Sequence, residues 1–461
     1  MIICYLLDII YAVILLILSP WLLYRVLFQR RYRSGWGQRF GAVPRRYSHQ
    51  PCIWIHAVSM GEINAIGTLV KMLGQVLPQF EIVISSTTDT GIARAKSLYG
   101  QAHRVFFYPW DFTFAVKRAF NRIRPDLCIL MELEVWHNFT AIAARRSIPV
   151  MVANGRISSG KGFPRYRRIA PLVRPMFRRL SLVLAQDETY GRRFEILGAS
   201  ADRVKVAGSL KYDTADTCDS VAGAAELERK LGLSGESRVL VAGSTGDGEE
   251  AIVLESFDKL LQNKEFKSLR LVVVPRKPER FDEVARLIES RGYRLVRYSR
   301  VKAGEYTAGP EDGQAVILGD TMGDLRKFYS LAAVIFVGRS LVPMGGSDMM
   351  EAAGLGKPVV VGPYTENFAE TMDHLVQGGG IEVAADGGEL TGKMTTLLSD
   401  KEFAAELGRR GRQVILDNQG ATRKTVEAIC EVLGYQMPLA AGGIATRKPI
   451  EMEFRPNVRR P

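Results

Sequence analysis

The sequence contains no clustered cysteines. Its five (Cys4, Cys52, Cys128, Cys218 and Cys430) are odd in number and far apart. That excludes a disulfide framework and a cysteine-based metal site, and fits a reducing compartment. No Asp-x-Asp, His-Glu-x-x-His or Cys-x-x-Cys pattern occurs, so nothing in the sequence calls for a metal. Charge is absent from one long stretch: between Met1 and Tyr24 only Asp8 is charged. Acid is absent from another, since no Asp or Glu follows Asp8 until Glu62. No internal repeat is visible.

What is present is a chain of 461 residues with a formal net charge of +13. The length suits two to three domains, and the charge implies an anionic partner. The apolar first segment is just long enough for the ~20 residues that span a bilayer. It has no basic leader and no small-x-small cleavage site, so residues 1–28 read as an uncleaved single-pass anchor. Arg25, Arg30, Arg31, Arg33, Arg39, Arg45 and Arg46 follow it. A basic flank of this kind places the body of the protein in the cytoplasm and attracts anionic lipid. Its attachment to an apolar anchor makes lipid a better partner than nucleic acid.

Beyond Pro51, short apolar runs alternate with amphipathic stretches, the mark of βαβ units and parallel sheets. Two series of runs are separated by a segment rich in Ala, Asp, Thr and Ser. The expected organisation is therefore an anchor (1–28), a first Rossmann-like domain (29–212), a linker (213–236), a second Rossmann-like domain (237–435) and a disordered tail (436–461). The last long helix is expected from about Phe403 to Val432, with a break near Asp417–Gly420. Two such α/β domains imply a cleft, a favoured place for ligands. The architecture serves glycosyltransferases, epimerases and binding proteins alike, so it does not name a function.

Several residues stand where chemistry is expected. Trp54–Glu62 reads as strand, tight turn and helix start. Glu62 falls at the strand's carboxyl edge, where open α/β sheets bind ligands. A carboxylate kept ionised there by the helix dipole suits a general base; it equally suits a simple first-turn acid. Glu132 and Glu134 follow the buried run Leu127–Met131, either at the same edge or as surface carboxylates. In the second series, Ala242–Gly246, Val274–Arg280, Gly319–Leu325 and Gly345–Ala353 are candidate anion-binding turns. Arg276 is suited to a phosphate or carboxylate, and Ser347 or Asp348 to capping a helix. Four such turns in one domain point to a nucleotide. Lys161, Arg165, Arg167, Arg168, Arg174, Arg178 and Arg179, interleaved with Phe163, Tyr166 and Phe177, form a basic cluster. It reads as a solvated face or as a site for a phosphorylated, membrane-held substrate.

The segments WIHAVSMGE, ISSTTDTG, RPDLCILMELEVW, ANGRIS, GSLKYD, VAGSTGDGEE, VVPRKPERF, LGDTMGDL, FVGRSLVPMGG and GLGKPVVVGPYTENF run in order from Trp54 to Phe368. In them the chain resembles the transferases of 3-deoxy-D-manno-octulosonic acid (Kdo), which move Kdo from CMP-Kdo to a lipid A precursor. The resemblance implies an α/β GT-B glycosyltransferase: two Rossmann-like domains facing a cleft, behind an anchor, at the cytoplasmic face of the inner membrane. It implies Glu62 as proton acceptor, with Glu132 and Lys211 stabilising the transition state. It implies CMP-binding segments at Pro275 and Arg276, at Met322, Gly323 and Asp324, and at Asp348, Met349, Met350 and Glu351. The partners are then CMP-Kdo as donor substrate, the lipid acceptor and membrane lipid, with no cofactor, no metal and no nucleic acid.

This chain departs from the family's usual pattern at three places. Gly345–Glu351 reads GGSDMME where the family commonly has GGHN-Pro-Leu-Glu. Lys277 stands where His is usual, and Asp324 where Glu is usual. Asp348 would repel a nucleotide phosphate unless it is paired or turned away. A GT-B enzyme with another donor or acceptor, and a membrane-tethered binding protein without activity, are the alternative readings.

Overall fold

The structure, a computed structural model, describes residues 2–28, 34–160, 162–233, 238–309, 312–437 and 446–447. It comprises two units. One is Met1–Thr214 with Gln419–Pro461, the other Ala215–Asn418.

The first unit is built on a seven-stranded sheet of β1 (Cys52–His56), β2 (Glu81–Ser86), β3 (Arg104–Phe107), β4 (Leu127–Met131), β5 (Val150–Gly155), β6 (Leu182–Ala185) and β7 (Val204–Val206), in the order β3-β2-β1-β4-β5-β6-β7. Every pairing is parallel, so all carboxyl ends share one edge. The strands are apolar because helices cover both faces. In β1 the side chains alternate: Ile53 and Ile55 join one cluster with Leu69 and Leu73, while Cys52 and Trp54 join another with Phe106, Phe120 and Phe139. The chain leaves β1 toward β2 and β3, then returns on the other side at β4. The β1/β4 boundary is therefore the switch point, where a ligand crevice is expected.

The second unit repeats the plan with β8 (Val239–Thr245), β9 (Arg270–Pro275), β10 (Leu295–Arg297), β11 (Val316–Leu318), β12 (Val334–Val337), β13 (Val359–Val361) and β14 (Glu382–Val383), in the order β10-β11-β9-β8-β12-β13-β14. These pairings are also parallel, and the switch point lies between β8 and β12. The expected strands are found; two-residue β14 is too short to leave an apolar run.

The C-terminal part differs from the sequence reading, which carried the second domain to residue 435. The helix Lys401–Asn418 ends in the second unit. Gly420, in the left-handed region at φ 103°, turns the chain into a separate helix, Ala421–Leu433. Val426 and Ile429 of that helix join the core cluster of β1. Asp213 accepts from the Gly420 N–H at 2.6 Å, and the Thr68 and Thr422 hydroxyls are 3.0 Å apart. Periodicity identified an amphipathic helix but carries no record of which core it covers. Of the expected tail, Tyr435–Gln436 pairs antiparallel with Thr446–Arg447; residues 438–445 and 448–461 lie outside the described residues. In the expected linker, Ala224–Lys230 is helical and Arg326 donates to the Asp216 carbonyl at 2.6 Å, both within the second unit. Residues 234–237 lie outside the described residues.

The first helix, α1 (Ile2–Phe28), is long and apolar enough over Ile2–Trp21 to cross a membrane. One stripe of it nevertheless packs on the first unit. Asp8 accepts from the Thr113 N–H (2.8 Å) and from the Asn138 side-chain amide (3.0 Å). Thr113 opens a helix whose own N-cap, Phe112, has no capping side chain, so Asp8 supplies the missing acceptor. Tyr11 meets Phe112 edge to face at 5.9 Å. The basic run beyond α1 is not a uniform lipid-facing flank. Arg46 is buried and donates to the carbonyls of Ile123 (2.7 Å) and Arg124 (3.1 Å). Arg39 is buried with its guanidinium over the Phe107 ring. Arg30, Arg31 and Arg33 lie outside the described residues.

Candidate active site

Glu62 lies at the β1/β4 switch. Ser59 caps the short helix Met60–Ala65, and Ser59 and Glu62 form a reciprocal capping box. The Glu62 carboxylate accepts from the Val58 N–H (2.9 Å), the Ser59 N–H (3.2 Å) and the Ser59 hydroxyl (2.9 Å). The Val58 carbonyl is held in turn by the hydroxyls of Ser86 (2.7 Å), the last residue of β2, and Thr88 (2.9 Å), just past it. A Cβ at Gly91 would fall 2.3 Å from Ser86 Oγ and 2.8 Å from the Val58 carbonyl, so only glycine lets these two loops meet.

Glu62 is 9% exposed. Burial pushes its carboxyl above the ordinary value and the nearby Glu134 adds to this, while the Val58 and Ser59 hydrogen bonds pull down without cancelling it. Desolvation thus opposes the ionised form that the helix dipole is expected to favour. A carboxylate has roughly four lone-pair positions, and three are engaged here. The geometry serves both readings made from the sequence: a cap, and a rigidly held carboxylate with a free lone pair and raised basicity.

The second carboxylate group follows β4. Glu132 sits in the left-handed region at φ 55°, a conformation that costs a non-glycine residue about 1 kcal/mol or more. It is held there by its N–H, which donates to the Ala153 carbonyl of β5 at 3.0 Å. Glu134 accepts from the Trp136 indole N–H at 3.0 Å, and burial raises its pKa, with Glu132 contributing. Asn154, beside Ala153 and also left-handed, accepts from the Leu210 N–H at 3.1 Å. That bond brings Lys211 to the same sheet edge as Glu132. The buried Asn154 Nδ2 and Gln186 Oε1 have no hydrogen-bond partner. The motif ANGRIS marks this place in the sequence, but its pattern alone assigns Asn154 no role.

In the basic cluster, Val173, Met176 and Phe177 turn inward while Arg165, Arg167, Arg168, Arg174 and Arg178 are exposed. Arg179 instead donates to the His137 carbonyl at 3.4 Å. Lys161 lies outside the described residues.

In the second unit the β8/β12 switch is occupied by a side chain that the sequence reading passed over. Glu249 is fully buried. Its carboxylate accepts from the Gly246 N–H (2.8 Å), Ser340 N–H (2.8 Å) and Leu341 N–H (2.8 Å), and from the Arg339 N–H. The loop after β8 is thereby tied to the loop after β12. The Gly246 N–H is consequently committed to Glu249 rather than open to cradle a phosphate, as Ala242–Gly246 had suggested. A Cβ at Gly338 would fall 2.8 Å from Glu249 Oε2 and 2.6 Å from Thr245 Cα, so this junction also requires glycine.

The expected donor residues divide. Arg276 is exposed just past Pro275 at the end of β9; burial and then Asp348 raise the pKa of Glu351, against the smaller opposing pull of Arg326 and Arg276. Met322 is 62% exposed and Gly323 sits at φ 89° in the turn after β11. Asp324 is buried between Lys302 (2.6 Å), Lys327 (2.8 Å) and the Thr321 hydroxyl (2.8 Å). Burial raises its carboxyl, but those partners win and hold it at about 2. Its charge is thus balanced inside the fold by Lys302 and Lys327, next to the Met322–Gly323 turn. Met349 and Met350 have buried side chains and can offer a ligand only their backbone. Asp348 accepts from the Met350 N–H at 2.9 Å, two residues on, but the N-cap of the helix Met350–Gly354 is Met349, with no side-chain cap, so neither Ser347 nor Asp348 takes the expected cap position. No cluster of three or more His, Cys, Asp or Glu side chains placed to hold a metal occurs among the described residues.

Comparison with known proteins agrees with the geometry. Residues 34–214 match the family described as 3-deoxy-D-manno-octulosonic-acid transferase (kdotransferase), and residues 251–414 match glycosyl transferases group 1. The chain is 34% identical to the 3-deoxy-D-manno-octulosonic acid transferase of Haemophilus influenzae over 87% of this chain and 91% of that one. It is 31% identical to the Bordetella pertussis enzyme of the same name over 88% and 95%. A solved glycosyltransferase from Rickettsia africae superposes with a TM-score of 0.51 at 14% identity, covering 84% of this chain and 99% of that one, and shows the shared GT-B fold. The protein is a glycosyltransferase with two parallel seven-stranded sheets, and it belongs to the 3-deoxy-D-manno-octulosonic acid (Kdo) transferase family.

Proposed function

We propose that this protein moves Kdo from CMP-Kdo to a lipid A precursor at the cytoplasmic face of the inner membrane, with inversion and without a metal. The observation that carries the reading is the buried Glu62 carboxylate at the β1/β4 switch, rigidly held yet with one lone pair free. An acceptor hydroxyl oxygen attacks the anomeric carbon of Kdo while Glu62 takes its proton. The bond from that carbon to the CMP phosphate oxygen breaks, and CMP leaves with the electron pair. Arg276 and the backbone of the Met322–Gly323 and Asp348–Glu351 segments hold the phosphate. Glu132 and Lys211 stabilise the developing charges. The exposed arginines of residues 165–178 hold the acceptor's phosphates.

The helix α1 keeps the enzyme at the membrane. The sequence reading has it cross the bilayer once. The packing of Asp8 and Tyr11 on the first unit favours a helix lying along the interface with its other face in lipid. Asp348, beside Glu351 and Arg276, motivates one second reading, a donor other than CMP-Kdo. A donor screen separates the two: turnover with CMP-Kdo supports the first, and turnover with a uridine sugar alone supports the second.

A further inference from the structure

An apolar cavity of about 370 Å³ lies within the first unit, between α1 and the segment Tyr108–Phe112. Tyr11, Ile14, Leu15 and Leu18 line one side, and Thr87 and Trp136 also contribute. Its volume is at the small end of the ~300–1,000 Å³ usual for ligand sites. Two observations say what it takes. First, Ile14 and Leu18 are 47% and 45% exposed, so the lining runs out onto the apolar outer face of α1. An apolar chain can pass from a lipid phase into the cavity without crossing a polar rim. Second, Trp136 donates to Glu134, and Thr87 neighbours Thr88, which holds the Val58 carbonyl above Glu62. The cavity wall is therefore bonded to Glu134 directly and connected to Glu62 through Thr88 and Val58.

We infer that this cavity holds an acyl chain of the membrane acceptor, so that α1 forms part of the acceptor site rather than serving as a tether alone. The inference rests on the proposed lipid acceptor. Seating one chain against α1 orients the acceptor sugar toward Glu62, and most of the affinity comes from apolar burial rather than from hydrogen bonds.

The test uses the full chain in detergent with a diazirine-bearing alkyl phosphate, followed by mapping of the labelled residues. The expected result is saturable labelling on Tyr11, Leu15 and Tyr108–Phe112 that the acylated acceptor displaces. Labelling confined to Leu6, Ile9, Leu16 and Ile17 on the outer face, or labelling that the acceptor does not displace, overturns the inference in favour of general lipid contact. Leu15→Phe, which fills the cavity, is expected to raise KM for the acylated acceptor about tenfold, the effect of excluding roughly two methylenes. It is expected to narrow the preference for acylated over deacylated acceptor; an equal effect on both refutes the assignment. Labelling is read independently of turnover. An enzyme that transfers Kdo to neither acceptor yet labels at Leu15 refutes the proposed function and leaves the cavity's ligand class standing.

Discussion

Replacing Glu62 by Gln separates the two jobs its geometry allows. The amide is nearly isosteric, but its nitrogen must face either the Val58 N–H or the Ser59 pair, all of which now donate to the carboxylate. At least one buried donor loses its acceptor, at a cost of about 1–3 kcal/mol. The first unit should therefore melt several degrees lower yet remain folded at assay temperature. A lost cap alone would reduce turnover only to the extent that the protein unfolds. A lost general base should lower kcat by about 10²–10⁴-fold, with little change in KM for the donor, whose proposed contacts do not include Glu62. The pH profile gives a second readout. With its pKa raised by burial above 4.5, Glu62 must deprotonate to act, so wild-type kcat/KM should rise with pH through that raised value. Glu62→Gln should lose this acid limb. If the Gln variant keeps kcat within a few-fold of wild type and retains the acid limb, Glu62 is only a cap and the assignment of the base is wrong.

Other expectations follow from the same physics. Glu249→Gln sets an amide nitrogen against two backbone donors, so at about 1–3 kcal/mol each the second unit should lose ~2–6 kcal/mol in denaturant unfolding and bind donor more weakly; unchanged stability would show that the β8 and β12 loops do not depend on it. Asp8→Ala removes the acceptor for Thr113 and Asn138, a loss of about 1–2 kcal/mol in capping terms; faster proteolysis after α1 is expected, and wild-type resistance would contradict the docking. Asp111 is held at about 7, mainly by burial with Asp8 adding to it, against the hydrogen bonds from Asn138 and Phe139. Because this lies above the ordinary 3.8, the folded state binds the proton more tightly, so its stabilising contribution is complete below pH ~3.8 and lost as pH rises through ~7. Asp111→Asn should therefore flatten the fall in Tm between those values, and parallel wild-type and variant curves would refute it.

Both sheets were legible because strands buried on two faces are written as continuous apolar runs, and the carboxylates because Glu132 directly follows one such run and Glu62 opens the helix after another. What escaped notice were residues whose importance is tertiary. Asp8 reads as a lone charge in an apolar helix, and only the packing reveals it capping a helix more than a hundred residues away. Glu249 looks like an ordinary first-turn acid, yet its carboxylate ties two switch-point loops together. Asp324 looked available because Lys302 and Lys327 are charges like any others until the turn after β11 encloses them. The helix Ala421–Leu433 carries a clear apolar face, but a face does not say which of two similar cores it will join.

The most direct test of the account is to incubate the purified protein with CMP-Kdo and an acylated lipid A precursor in detergent, following CMP release and the mass of the acceptor together. The account predicts CMP release matched by an acceptor heavier by Kdo, and both lost in Glu62→Gln. CMP release without a heavier acceptor, or no release from folded wild-type protein that turns over another nucleotide sugar, would contradict it.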